Sequence, residues 1–330
     1  MGKKKSVHTP ESALLMPKHP ELAEASSSRS NIYDTHCHMM STLSFYKSKY
    51  PDGDHATVQE FVSAYFTPEK TNTVEGLVDV YCEPPFTGWK DLADSALNDK
   101  TPWNGVSYNF VMGVHPHNAK EYTDEVEAII LEAMKHPLCV GWGEIGLDYH
   151  YDFSPREKQQ EILIRQLKHA IALGKPITIH TREADDDIWR ILSENVPKEQ
   201  RLHIHCFTDT PELAEKLLGH FSNCFIGITG VVTYATNQNT SAVIRNLASK
   251  STEKTSEVLR LLLETDSPYM TPNNLPVKEI GIKSARGLAT CHSAMIPYTA
   301  QFVAEQAGNG WTTEEVLAVC RENAKKMYGV

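Results

Sequence analysis

The chain has 330 residues, 41% hydrophobic and 22% charged, with Gly and Pro at 18 each. That length suits about two domains of ~150 residues or one closed α/β barrel of ~250, and the composition excludes collagenous, wholly disordered and membrane-spanning chains. The 32 Lys and Arg against 42 Asp and Glu leave a formal charge of −10, which repels a polyanion and disfavours broad nucleic-acid binding unless cations override it at one place.

Residues 1–30 read as a flexible extension, with Lys3-Lys4-Lys5, scattered prolines, Ser26-Ser27-Ser28 and one short apolar patch, Ala13-Leu14-Leu15-Met16. The segment lacks the apolar stretch of a secretory signal. Met1-Gly2-Lys3-Lys4-Lys5-Ser6 fits the loose myristoylation pattern, but a solvated basic tail is the plainer reading, and no stable membrane association is expected. The 7 cysteines are scattered with no Cys-x-x-Cys pair, which predicts reduced thiols in the cytoplasm or nucleus.

From Asn31 onward, short apolar runs alternate with longer amphipathic ones. Strands are predicted over Asn31–Thr35, Gly76–Tyr81, Tyr108–Val114, Cys139–Gly143, Pro176–His180, Arg201–Cys206, Cys224–Gly230 and Leu261–Thr265. Helical spacing follows in Leu163, Leu167 and Ile171 behind Ser154-Pro155, and in Leu213, Leu217 and Phe221 behind Thr210-Pro211. Leu317, Cys320, Ala324 and Met327 line a closing helix that Thr312 and Glu315 start as a capping box. Strands alternating with helices imply parallel neighbours and crossover connections. A single (β/α)8 TIM barrel over 31–330 is the economical architecture. A doubly wound sheet would need a glycine-rich turn after the first strand, where Asp34-Thr35-His36-Cys37-His38 stands instead. Met39–Thr73 is too long for a plain βα loop and carries Phe45, Tyr46, Tyr50, Phe61, Tyr65 and Phe66, so a folded, lid-like helical insertion is expected there.

Histidines and carboxylates recur at the predicted strand ends: His36 and His38, Glu144, His180, His205 and Asp266. In an α/β barrel those ends share one rim. His36 and His38, two apart on an extended segment, face one side and can share a metal. Neutral imidazoles with carboxylates suit Zn²⁺ or Mn²⁺, and the carboxylates also admit Mg²⁺. Four histidines and two acids exceed one tetrahedral site, so two divalent ions with a shared ligand are expected. A lone strand-end histidine is ordinarily a hydrogen-bonded rim residue, Glu144 alone could be a paired carboxylate, and Asp266 before Ser267-Pro268 could start a turn. Six such residues at the same ends of different strands argue for a metal centre.

The runs Asp34-Thr35-His36-Cys37-His38, Gly113-Val114-His115-Pro116-His117, Gly143-Glu144-Ile145-Gly146-Leu147-Asp148-Tyr149, Ile179-His180-Thr181-Arg182-Glu183-Ala184, His205-Cys206-Phe207 and Glu264-Thr265-Asp266-Ser267-Pro268-Tyr269 resemble, in this order, the TatD-like metal-dependent hydrolases. The resemblance spans roughly Asn31 to Val330. It implies a TIM-barrel hydrolase of the amidohydrolase-like superfamily that uses two divalent ions on phosphodiesters, commonly DNA. Carried over, His36, His38, Glu144 and Asp266 would hold one ion and Glu144, His180 and His205 the other, with Glu144 bridging and Asp266 taking the proton of the attacking water.

His115 and Arg182 are expected to grip phosphate oxygens, although Arg182 could instead pair with Glu183 or with Asp185, Asp186 or Asp187. His117 is expected to cap a turn, and His150 and His203 to be structural. The family's Asn-Glu-Pro motif is replaced by Cys291-His292-Ser293, which together with Met39–Thr73 resembles a divergent eukaryotic, fungal branch described as partners of a tetratricopeptide-repeat subunit of the anaphase-promoting complex. Two other readings compete with a deoxyribonuclease: a hydrolase of esters, lactones or amides on the same metals, and a barrel serving as a protein-interaction partner through Met39–Thr73.

Overall fold

The structure, a computed structural model, describes residues 9–22 and 31–330. Eight strands follow one another around a single sheet: β1 Ile32–Cys37, β2 Val74–Tyr81, β3 Ser107–Met112, β4 Cys139–Asp148, β5 Ile177–Arg182, β6 Leu202–Ile204, β7 Cys224–Ile228 and β8 Leu261–Leu263. Every neighbouring pair is parallel. Between and after them run α1 Met39–Lys49, α2 Val58–Tyr65, α3 Trp89–Asn98, α4 Asp124–Ala133, α5 Arg156–Ala172, α6 Asp185–Asn195, α7 Pro211–His220, α8 Gln238–Ala248, α9 Ile296–Ala307 and α10 Thr313–Tyr328. This is the expected (β/α)8 barrel, with all eight predicted strands present.

Sequence order and strand order coincide because each crossover helix returns the chain beside the strand it has just left. The strands are buried on both faces, which is why they read as continuous apolar runs rather than alternating ones. The ring closes where β8 meets β1. Asp266 N–H donates to the His36 carbonyl and His38 N–H to the Ser267 carbonyl, each at 2.9 Å. Below them the Asp34 carboxylate accepts from Thr265 N–H (3.0 Å), Thr265 Oγ1 (2.7 Å) and Ser293 Oγ (2.7 Å). At the other mouth, Tyr33, Val78, Val111, Phe225 and Leu262 pack on Ala324, Met327 and Tyr328 of α10. That helix is started by the expected capping box of Thr312 and Glu315.

Three expectations need correction. β4 does not stop at Gly143 but continues to Asp148, so Glu144 lies within the strand rather than at its end; the glycines of Gly143-Glu144-Ile145-Gly146 look like a terminus but serve close approach to β5. The extension is not flexible throughout. Residues 9–22 lie on the barrel with Ala13, Leu14, Met16 and Leu22 buried, held by His292 Nε2 donating to the Leu14 carbonyl (2.8 Å) and by the Tyr46 and Tyr65 hydroxyls donating to Glu11 Oε1 (2.6 and 2.9 Å). The myristoylation pattern at 1–6 and the serine run at 26–28 lie outside the described residues.

Met39–Thr73 does fold, as α1 and α2, but it is a buttress more than a lid. Tyr46, Phe61, Tyr65 and Phe66 point inward, and Phe61, Tyr65 and Phe66 surround the His292 ring at 5.7 to 6.1 Å between centroids. The aromatic contact surface that would motivate a protein-partner reading is therefore mostly spent on the core. His292, Cys291 and Ser293 are likewise internal. All seven cysteines are free thiols, and among the described residues no helix is long and apolar enough to cross a membrane.

Candidate metal centre

The C-terminal ends of the strands surround a cleft of about 730 Å³ lined by His38, His115, His117, Glu144, Asp148, His180, Arg182, His205 and Asp266. The chain brings these groups together because β1, β4, β5, β6 and β8 each deliver a donor to the same rim. All six predicted ligands meet there.

Two carboxylates act as hubs. Around Glu144 stand His180 Nδ1 at 2.7 Å, His36 Nε2 at 3.4 Å, His115 Nε2 at 3.5 Å and His205 Nε2 at 3.8 Å. Around Asp266 Oδ1 stand His38 Nε2 at 3.3 Å and the Nε2 atoms of His36 and His205 at 3.9 Å. The His36 and His205 rings stack at 3.5 Å with 16° between their planes, so both turn their Nε2 toward the same space.

The donor set fits a divalent cation on two counts. His36 is fully buried, yet neither of its ring nitrogens has a hydrogen-bond partner among the described residues, which is costly for polar atoms without a further ligand. Most hub distances are long for hydrogen bonds, but they suit donors around one ion, since bonds of ~2.0–2.2 Å in a tetrahedron put neighbouring ligand atoms about 3.4 Å apart. Groups able to hold an ion include His36, His38 and Glu144, and His115, Glu144 and His180. His115 thus sits among the donors and not merely at the mouth.

The electrostatics express the same demand for positive charge. Burial pushes the Glu144 carboxyl up, but His205, His115, His180 and His36 outweigh it and hold it well below the carboxylate range. Burial lowers the His38 and His180 imidazoles, yet Asp266 lifts His38 to about 9, and Asp148 with Glu144 lifts His180 to about 10. His36, fully desolvated and beside His205, falls to about 4. The raised His38 and His180 imidazoles mark where the carboxylates favour positive charge, the charge a cation would supply.

Two residues without a predicted role belong to the site. Asp148 Oδ2 lies 3.1 Å from His180 Nε2 and 3.0 Å from His117 Nε2. Glu264, with no exposed surface, places Oε1 3.2 Å from His205 Nδ1 and Oε2 2.8 Å from His203 Nε2. A Cβ on Gly227 of β7 would stand 2.5 Å from both Glu264 Oε1 and His203 Nε2, so glycine there makes room for the pair. The signal for both was their place in the quoted motifs: Asp148 four residues after Glu144, and Glu264 two before Asp266.

The remaining expectations divide. His203 is structural, with Nδ1 2.8 Å from the Tyr328 hydroxyl, and His150 pairs with Glu183 at 2.6 Å. His117 was expected to cap a turn, but its ring reaches into the cleft to Asp148; it is His115 Nδ1 that accepts from His117 N–H. Arg182 lies over the Tyr151 ring, 5.1 Å from its centroid, while Asp187 takes Arg190 instead.

Comparison with known proteins gives a consistent family. A sequence profile described as TatD related DNase matches residues 33–329. The chain is 31% identical over 301 residues to the human 3'-5' RNA nuclease TATDN2, an alignment covering 90% of this chain and 35% of that longer protein. It is 30% identical over 220 residues to the 3'-5' ssDNA/RNA exonuclease TatD of Escherichia coli K12, covering 66% of this chain and 76% of the other. The fold matches the crystal structure of YjjV, a TatD homologue from Escherichia coli, with a TM-score of 0.67 at 22% identity, over 91% of this chain and 98% of that one.

Proposed function

From the premise that the chain belongs to the TatD related DNase family of metal-dependent hydrolases, we propose that it hydrolyses phosphodiester bonds of single-stranded DNA, and of RNA that reaches the same cleft, with two divalent ions. One observation carries this: four imidazoles and two carboxylates from five strands converge at 2.7 to 3.9 Å, around a buried histidine with no other partner. His36, His38, Glu144 and Asp266 would hold one ion, and Glu144, His180 and His205 the other, with Glu144 common to both. Mg²⁺, Mn²⁺ and Zn²⁺ all suit these donors.

Bound there, divalent cations lower the pKa of water, neutralise phosphate charge and steady the leaving alkoxide. The chain's own groups do the rest. Asp266, which lines the cleft beside His38, would accept the proton released by the attacking water. Glu264 fixes the ring of His205 through Nδ1, and Asp148 fixes His180 through Nε2, as carboxylates behind ligating histidines do. His115 and Arg182, which line the cleft, would receive non-bridging phosphate oxygens.

The test strips the protein with chelator, reloads it with Mg²⁺, Mn²⁺ or Zn²⁺ and offers single-stranded DNA and RNA. Cleavage is expected only with metal, falling at least about 1,000-fold in His180→Ala and in Asp266→Ala. Wild-type rates in both variants would refute the assignment. One observation favours a second reading: among the described residues, Arg182 is the only Lys or Arg lining the cleft, which an uncharged ester or lactone would tolerate better than a polyanion. Faster turnover of such esters than of oligonucleotides at equal metal loading would establish it.

A further inference from the structure

The cleft is rimmed by apolar rings that the chemistry above does not use. Eight large hydrophobic side chains are exposed among the described residues; three of them, Met40, Tyr151 and Tyr269, line the cleft, and Phe45 and Phe153 pack against the two tyrosines. The four rings form two pairs. Tyr151 and Phe153, just after β4, stack with centroids 5.4 Å apart and 7° between planes. Phe45 of α1 and Tyr269, beyond β8, meet edge to face at 5.5 Å. Strands four and eight stand half a turn apart in an eight-stranded ring, so the pairs flank the donor cluster from opposite sides.

Each pair is tied through a backbone N–H to an acidic residue of the site. Tyr151 N–H donates to Asp148 Oδ1 at 2.9 Å, and Tyr269 N–H donates to the Asp266 carbonyl at 3.0 Å. His117, in contact with Asp148, lies 4.9 Å from the Phe153 ring. Rings held this firmly yet left in water, with Phe153 60% exposed, form a patch that calls for an occupant. Proteins that bind single strands combine a cationic groove with aromatic faces for the bases. This chain has a net charge of −10 and, among the described residues, a single Lys or Arg lining its cleft, so away from the metal centre the aromatic share is the larger.

We propose that these two exposed pairs are base-stacking platforms, Phe153, backed by Tyr151 whose ring also carries Arg182, receiving the nucleobase on one side of the scissile phosphodiester and Phe45 with Tyr269 the nucleobase on the other. The inference rests on the nuclease reading and deepens it. A stacked base needs a free face, so the platforms select single strands over duplex, and they tolerate any base because every base has a π-face.

The test compares a single-stranded oligonucleotide with the same strand made abasic at the two nucleotides flanking the cut. Wild-type protein is expected to prefer the normal strand by roughly 10-fold or more in kcat/KM, mainly through KM. In Tyr151→Ala/Phe153→Ala and in Phe45→Ala/Tyr269→Ala that ratio should collapse toward one, with melting temperature and metal content retained. A binding readout without turnover uses the His180→Ala protein and a strand carrying 2-aminopurine beside the cut: its fluorescence should be quenched on binding, and the quenching lost when Tyr151 and Phe153 are also removed. An unchanged ratio in both double variants, or quenching that persists, overturns the platforms while leaving the nuclease intact. Failure of metal-loaded wild-type protein to cut any strand overturns the nuclease reading itself.

Discussion

Glu264 has no contact with solvent, yet it decides which nitrogen of His205 faces the cleft. Its Oε1 stands beside Nδ1 and leaves Nε2 for the hub of Glu144 and Asp266. Glu264→Gln keeps the volume and removes the charge, so divalent-ion affinity should fall about 10- to 100-fold with the barrel still folded; chelator competition measures it, and wild-type affinity would deny Glu264 this role. His292 makes the complementary case of a histidine that is purely internal. Burial lowers its pKa from 6.5 to about 4, so the folded protein declines a proton that the unfolded chain accepts between those values. Stability should therefore rise from acid toward neutral pH across that window, by at most about 3 kcal/mol. Urea unfolding near pH 7 and near pH 4.5 should show a smaller loss in His292→Gln than in wild type, and equal losses would remove His292 as the cause. His36 and Asp266 were legible because six such histidines and acids recur at the same ends of different predicted strands. Glu264 and Asp148 were not, because a carboxylate that orients a histidine leaves the same trace in a sequence as one that caps a turn.

Residues 9–22 show the limit of pattern reading at the scale of elements. Four apolar residues, Ala13 to Met16, are too few for any periodicity, and their partners are tertiary: His292, Tyr46, Tyr65 and the surrounding rings. The segment has only short 3-10 turns at Glu11–Leu14 and Pro20–Leu22, so packing rather than propensity fixes it. Leu14 is fully buried, and Leu14→Ala should cost about 2–5 kcal/mol, read as a lower urea midpoint with an unchanged slope. A midpoint shift under ~0.5 kcal/mol, the size of an ordinary surface change, would mean that the segment is not held as described. The helices with long apolar spacing were read correctly because α5, α7 and α10 each bury one stripe behind a recognisable start. β4 was read too short because its glycines serve close packing against β5, and glycine in a sequence more often marks an end.

Across the whole molecule, the barrel was legible because eight apolar runs separated by helical ones admit few topologies, whereas the inward turn of the Met39–Thr73 aromatics depends on contacts that no local pattern encodes. The ring's closure also sets an order of events. Glu144, His180 and His205 ride on three consecutive strands, while the groups around Asp34 and Thr265 are 231 positions apart. Distant ends meet later than neighbours do, because closing a long loop costs more entropy. Refolding with Co²⁺ as a coloured probe should therefore show two kinetic phases, an early weak site from the central strands and a late tight one when His36 and His38 reach Asp266; a single phase would mean that all six donors arrive together. A partly made barrel would in that case already scavenge cations, and the centre would be built from the middle of the chain outward.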